Sequence, residues 1–399
     1  MSPPMSLSAT AAAAPHEPAE TRKLLLLIWG VTVATYLFTG RGADQGLSTD
    51  DAMRLVQVRD LLAGQGWFDV TQYRLNPPDG VALHWSRLID LPIAILLRAA
   101  ELALPSATAE RLVLTVWPAG LLLALLFGVA RIARELADDS AARLALIFAA
   151  VTAPLLQHFR PGAIDHHSVQ LVLMIWSVAL LIRERASVAV QKFAIPSGQN
   201  GSELLNQSHT SKPSSASVPL NPKFATECAA ESSELRIRDT RDAALAGAFC
   251  ALSLAIGQEM APAIAGVAGF VAVRWIARGE LSRDTAAAFG MAFAAGTLAL
   301  FVATVPPARY IAATCDAFSI VQVVTAVTGG FGLAILTVWR ALSTVRKRVA
   351  GAAGLGELLG ALVAIGFPAC LGNPYADLDP RLAALWLSNV NEARSIAGM

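Results

Sequence analysis

The 399-residue chain is 55% hydrophobic and only 15% charged, with a mean hydropathy of +0.52. A soluble domain carries about 25% charged residues, so too little charge is present to cover a water-facing surface, and the composition predicts an all-α polytopic membrane protein. The net charge of +1 excludes a bulk basic nucleic-acid binder, and four cysteines without a C-x-x-C pair exclude a zinc ribbon or thioredoxin-type site.

Residues 1–22, rich in Ala, Pro, Ser and Glu, read as a disordered cytoplasmic tail. A spanning helix needs roughly 20 mainly apolar residues, because each adds only ~1.5 Å of rise. Nine stretches qualify as candidate spans: Leu24–Gly40, Leu112–Ala133, Leu144–Phe159, Ser168–Ile182, Ala243–Gly257, Met260–Ile276, Ala286–Val305, Ile320–Val338 and Ala350–Cys370. A tenth, Leu88–Leu104, carries Asp90, Arg98 and Glu101 spaced around the helix. Counting it as a span would scatter the dense basic loops over both sides, so it reads as an interfacial helix. With nine spans, well over half of the 31 Lys and Arg residues fall on the side of Arg22 and Lys23. The positive-inside bias then places the N-terminus in the cytoplasm and the C-terminus in the periplasm of a bacterial inner membrane. No small-x-small site promptly follows Leu24–Gly40, which therefore reads as an uncleaved anchor.

This pattern divides the chain into an N-terminal membrane half (23–186) with outer loops at 41–111 and 160–167, a flexible cytoplasmic linker (187–242), a second membrane half (243–370) and an outer C-terminal segment (371–399). The linker assignment rests on its Ser, Asn, Pro, Thr and Lys content. Trp117, Trp275 and Trp339 fall near span ends and read as interfacial anchors.

The outer loops hold the candidate chemistry. Ser48-Thr49-Asp50-Asp51 precedes an amphipathic run, Ala52–Ala63. Its plain reading is a helix start, with Ser48 as cap and an acid suited to the helix dipole. The same loop also carries Arg54, Arg59, Arg74 and Arg87. Acids and arginines at a membrane face suit a divalent cation and a phosphate together. The second candidate is Arg160-Pro161-Gly162-Ala163-Ile164-Asp165-His166-His167, on the same side. Asp165 and His167 offer an oxygen and an imidazole to one metal, a mixed set suited to Mn²⁺ or Mg²⁺. The plain reading is that Asp165 caps the following helix and the histidines lie at headgroup level. Cys315 and Cys370 fall on the outer side, where an oxidising periplasm permits a disulfide.

This layout resembles the class C (GT-C) membrane glycosyltransferases, and most closely the catalytic subunit of oligosaccharyltransferase in its archaeal form. The resemblance lies in Ser48–Gly66, in Asn76-Pro77-Pro78-Asp79-Gly80, similar to a Y-P-x-G segment, and in Gly162–His167, similar to a G-x-x-D-x-H segment. It covers Lys23 to about Ile276 in layout. The resemblance implies a polyprenyl-phosphate-linked sugar donor, a divalent cation (Mg or Mn) and transfer at the periplasmic face. It gives Asp50 or Asp51 the role of base or metal ligand, and Asp165 and His167 the completion of the metal site. Arg54, Arg59 and Arg74, with His166, would grip the lipid phosphate, an assignment made from charge. No W-W-D-Y-G segment occurs, no Ser-Val-Ser-Glu-like acid follows Val305, and no large soluble C-terminal domain precedes Met399. The chain therefore reads as a shortened family member or an incomplete product, with the sugar and the acceptor open. Two other classes stay open beside it: a transporter or flippase for a lipid or small solute, and an inactive membrane scaffold.

Overall fold

A computed structural model of the chain describes residues 19–38, 47–152, 157–182, 222–372 and 380. Its described part is helical apart from one two-stranded antiparallel hairpin. The chain forms two compact units, Met1–Leu62 with Leu91–Arg183, and Ala63–Asp90 with Glu184–Met399. The long first loop is thus divided: Ala63–Asp90 groups with the C-terminal unit and not with residues 23–186 as expected. The expected tail lies largely outside the described residues, as do 187–221 of the linker and nearly all of 371–399.

The first unit contains α1 (Ala19–Phe38), α2 (Thr49–Leu62), most of α3 (Arg87–Glu101), α4 (Ser106–Leu136), α5 (Asp139–Val151) and α6 (His167–Leu181). Asp138 starts α5 by accepting the Ala141 amide at 2.8 Å. The core joins Leu25 of α1 to Leu122, Leu125, Leu126 and Ala130 of α4 and to Ala142 and Leu146 of α5. Two indoles tie neighbouring helices together. Trp29 donates to the Ala119 carbonyl at 2.8 Å, and Trp176 donates to that of Ala124 at 2.9 Å. Helix α3 buries Ile89, Ile93 and Leu97 and exposes Leu91, Ile95 and Leu96, so it has apolar groups on both faces.

In the second unit, β1 (Thr71–Gln72) pairs with β2 (Val81–Ala82) around the Asn76–Gly80 turn. Gly80 has φ +76°, and a Cβ there would stand 2.6 Å from the Thr71 side chain, so only glycine closes this hairpin. The helices are α7 (Pro222–Ile256), α8 (Ala261–Arg278), α9 (Arg283–Thr304), α10 (Ile320–Val338) and α11 (Val345–Gly366). Residues 222–242, in the stretch read as a linker, are helical. The segment is built of helix formers, begins with Pro at its first position and carries an i,i+4 pair, Glu234–Arg238. Ser319 and Gln322 form a capping box that starts α10.

Lipid offers no hydrophobic drive for helix association, so close approach of backbones carries the packing. A Cβ on Gly247 would stand 2.4 Å from the Phe289 carbonyl oxygen, and one on Gly290 would stand 2.4 Å from that of Gly330. These glycines let α7, α9 and α10 meet main chain to main chain. Arg348 is buried against Gly279, and its guanidinium donates to the carbonyls of Ile276 and Ser343 at 2.9 and 3.2 Å. The charge is therefore satisfied by backbone oxygens and not by an acid.

Among the described residues, five stretches are long and apolar enough to cross a bilayer: Ala19–Phe38, Ser106–Leu136, Ala261–Thr304 (which turns at Gly279), Ile320–Val338 and Val345–Gly366. Their outward apolar side chains, including Leu27, Val31, Ile335 and Ile365, are exposed, as lipid-facing groups are. The chain is a multi-pass membrane protein. Helices occupy all nine expected stretches, but α5 and α6 have only 13 and 15 residues, short of the roughly 20 that a span requires. Trp275 is buried, so it packs inside the second unit and is not the interfacial anchor expected.

The glycine contacts predict that Gly290→Leu or Gly330→Leu destabilises the second unit by about 2–4 kcal/mol, since neither backbone can retreat from the other. A thermal unfolding midpoint in detergent that falls clearly below wild type checks this; an unchanged midpoint would rule out close packing there.

Candidate functional site

The site is assembled from the start of α2 and the loop before α6, both in the first unit. The Ser48 hydroxyl accepts the Asp51 amide at 3.1 Å and donates to Asp51 Oδ2 at 2.7 Å. This fixes the first turn of α2 and turns the Asp51 carboxylate inward, where the residue is 4% exposed. Its Oδ1 accepts two backbone N–H groups from 113 and 114 residues away, Ile164 at 2.8 Å and Asp165 at 3.0 Å. Arg160 Nη2 stands 3.6 Å from the other oxygen. The same loop is pinned a second time by Gly162, whose φ of +88° aims its N–H at the Leu114 carbonyl of α4, 2.7 Å away.

The loop so held presents Asp165, His166 and His167, which place potential ligand atoms within 4.8 Å of one another. Asp165 Oδ1 receives the His166 Nδ1 contact at 2.6 Å and Arg54 Nη2 at 3.3 Å, while Oδ2 faces His167 Nε2 at 3.5 Å. Burial raises the Asp165 pKa, but the hydrogen bond and charge of His166 outweigh it. Together with Arg54 and His167 they hold the carboxyl well below the usual aspartate range. Asp165 is therefore ionised at any neutral pH, as a metal-ligating carboxylate must be. The His158 ring lies 5.3 Å from that of His167.

Carboxylate oxygen and imidazole nitrogen are ligands shared by Mn²⁺, Mg²⁺ and Zn²⁺ to differing degrees. A separation of 3.5 Å between Asp165 Oδ2 and His167 Nε2 suits two atoms that each stand about 2.1 Å from one ion. The donor set fits a divalent cation.

Of the residues singled out in the sequence, the structure brings Asp51, Arg54, Asp165, His166 and His167 together. Asp50 is exposed on the same turn of α2, with the Thr49 hydroxyl 3.4 Å from its carboxylate. Both Asp51 oxygens face donors, so the residue also clamps the loop through its backbone. Arg59 forks onto Glu110 at 2.6 and 2.9 Å. Arg74 belongs to the second unit, where it bonds Gln72 Oε1 at 2.9 Å. Cys315 and Cys370 form a disulfide in the second unit. His158 was missed, because it falls at the end of the expected span Leu144–Phe159 and so outside the candidate loop.

No protein-family model and no curated protein matches the sequence. The fold is that of the GT-C membrane glycosyltransferases. More particularly, it is similar to solved structures of oligosaccharyltransferase from Archaeoglobus fulgidus. The complex of the archaeal oligosaccharyltransferase AglB with an inhibitory peptide and a dolichol-phosphate aligns over 96% of this chain at 14% identity and a TM-score of 0.61. The apo form of the A. fulgidus oligosaccharyltransferase aligns over 94% at 16% identity and a TM-score of 0.51. The chain covers 42% and 39% of those two chains, or about two fifths of their length.

Two substitutions read out the clamp. Asp51→Ala strands the two loop amides and is expected to cost about 2–4 kcal/mol of stability, whereas Asp51→Asn keeps one acceptor and costs less. Hydrogen exchange at Ile164 and Asp165 should accelerate in the alanine variant; unchanged protection would contradict the clamp. Asp165 has a depressed folded pKa, so its ionic contribution is complete above the unfolded value of about 3.9. The stability deficit of metal-free Asp165→Asn should therefore be full at pH 7 and close only as the pH falls well below 4.

Proposed function

We propose that the chain is a membrane glycosyltransferase that moves a sugar or oligosaccharide from a polyprenyl-phosphate-linked donor to an acceptor at the outer membrane face. The observation that carries this reading is the joining of two distant outer-loop motifs by Asp51, which sets Asp165 and His167 beside the start of α2. The likeness of the fold to a protein bound to dolichol-phosphate supports a lipid phosphate as the leaving group.

Asp165 and His167 would hold a divalent cation, Mg²⁺ or Mn²⁺. When bound, the cation supplies positive charge against the phosphate that departs with the lipid. Asp50, exposed on that turn, or Asp51 itself would act directly as ligand or base. Arg160, only half-buried beside Asp51, is the cation best placed to meet the donor phosphate. Arg54 is fully buried and bonds Asp165, so its part is to keep that carboxylate ionised and oriented. Asp51 positions the loop. A lipid-linked donor stays in the bilayer while its acceptor arrives from water, which fits a site on interhelical loops. The Cys315–Cys370 disulfide supports an oxidising compartment for its loop and hence the periplasmic side of a bacterial inner membrane for the outer face, with the N-terminus in the cytoplasm.

Purified protein in lipid nanodiscs, given a labelled polyprenyl-phosphate sugar, should release labelled product. Chelation should abolish release, and Mn²⁺ or Mg²⁺ should restore it. His167→Ala and Asp165→Asn should each lower the rate by about 10²–10³-fold. Equal rates in wild type and both variants would overturn the assignment. Solute uptake or lipid flipping without transfer would favour the transporter class.

A further inference from the structure

The second unit holds an apolar cleft of about 480 Å³, walled by α8, α9, α10 and α11. All four helices belong to stretches long and apolar enough to cross a bilayer. The helices part here instead of closing. A Cβ on Gly269 of α8 or on Gly356 of α11, both in the lining, would meet nothing within 4 Å, whereas the crossing of Gly290 and Gly330 leaves no room for one. Along α10 the lining runs from Val321 to Leu336, roughly 22 Å at 1.5 Å per residue. A helix of that length and about 10 Å across occupies roughly 1,700 Å³, so the cleft is too small for another protein span.

The lining fixes the body of the occupant. Its polar side chains sit toward the start of α10 and are already bonded. Gln258 donates to the Leu254 carbonyl at 3.2 Å, Thr325 donates to the Val321 carbonyl at 2.7 Å, and Gln322 belongs to the capping box of α10. Water would find too few partners along such walls, and a hydrocarbon chain needs none. The length exceeds the hydrocarbon depth of one leaflet, about 15 Å or half of a ~30 Å core, so an acyl chain fits end to end.

The charge at one end fixes the head. Within two turns of the lining residues Ala272, Leu336 and Ala352, the same three helices reach Arg274 and Arg278, Arg340, and the run Arg346-Lys347-Arg348. These ends meet, because Arg348 donates to the Ile276 carbonyl of α8 at 2.9 Å. Arg340, Arg346 and Lys347 are exposed and enter no ion pair among the described residues. The acids that follow α8, Glu280 and Asp284, are engaged by Arg283 and Arg236 at 3.3 and 3.6 Å. The exposed cations are hydrated and demand no ligand. Their summed positive field favours an anionic headgroup over a zwitterionic one at that end of the cleft.

We propose that the cleft holds one acyl chain of an anionic phospholipid, with its phosphate beside Arg340, Arg346 and Lys347, and that this lipid fills the gap between α8 and the helices facing it. The Cys315–Cys370 disulfide joins the opposite ends of α10 and α11, the side on which transfer is proposed above. A lipid-linked sugar reacting there would carry its phosphate at the wrong end of this cleft. That choice between two lipids rests on the proposed function; the binding of an anionic phospholipid does not.

The test is native mass spectrometry of the full chain in detergent, titrated with phosphatidylglycerol or phosphatidylcholine, with the unfolding midpoint as a second readout. The wild type should retain phosphatidylglycerol at about tenfold lower concentration than phosphatidylcholine, and its midpoint should rise on binding. Arg346→Gln with Lys347→Gln, both exposed, should lower that preference about tenfold and leave phosphatidylcholine binding as it was. Gly356→Leu places a side chain in the open cleft and should abolish retention of both lipids at an unchanged lipid-free midpoint. Should it fail to fold, the charge pair decides. Equal retention of the two lipids by the wild type, an undiminished preference in the charge pair, or full retention in a folded Gly356→Leu overturns the proposal. Polyprenyl phosphate that displaces phosphatidylglycerol from the cleft also overturns it, in favour of the donor's chain; failure to displace supports it. If phosphatidylglycerol binds as described while sugar transfer is absent, the transferase reading alone falls.

Discussion

A single buried carboxylate organises the candidate site. Burying an ionised carboxyl is costly unless hydrogen bonds replace its water, and Asp51 receives the Ser48 hydroxyl and the amides of Ile164 and Asp165. Satisfying that charge forces two stretches more than a hundred residues apart into one geometry. The Gly162 amide adds a second tether, to α4, at the only kind of residue that adopts its backbone angle at no steric cost. The Asp165-His166-His167 run is thus displayed from a backbone fixed at two points. Metal sites depend on such outer partners as much as on the ligands themselves.

The second unit solves a different problem. Its helices gain little from apolar burial in lipid, so α7, α9 and α10 approach through Gly247, Gly290 and Gly330. Polar groups inside it are answered locally, Arg348 by two carbonyls and Arg87 by Asp90, Gln65 and a carbonyl. The hairpin, the Ser319 cap and the disulfide then stiffen its loops.

Much of this was legible in the sequence. Apolar runs coincide with described helices in each expected stretch, and the Ser48 cap and the Asp165–His167 run were visible as patterns. Three features were not. An acid at a helix start reads the same whether it caps, ligates a metal or clamps a distant loop, and only the partner amides of Ile164 and Asp165 separate these roles. The partners of Arg59 and Arg74, Glu110 and Gln72, sit in no recognisable motif. The helical 222–242 segment was hidden because its polar residues match a linker in composition while matching a helix in propensity.

The central claim is that Asp165 and His167 jointly bind one cation on the loop that Asp51 holds. Pulsed electron paramagnetic resonance of the Mn²⁺-loaded protein tests it directly. Nitrogen modulation from a coordinated imidazole should appear in the wild type, vanish in His167→Ala and be lost along with the bound Mn²⁺ in Asp165→Asn. Mn²⁺ bound without nitrogen coupling, or bound equally well by both variants, would contradict it.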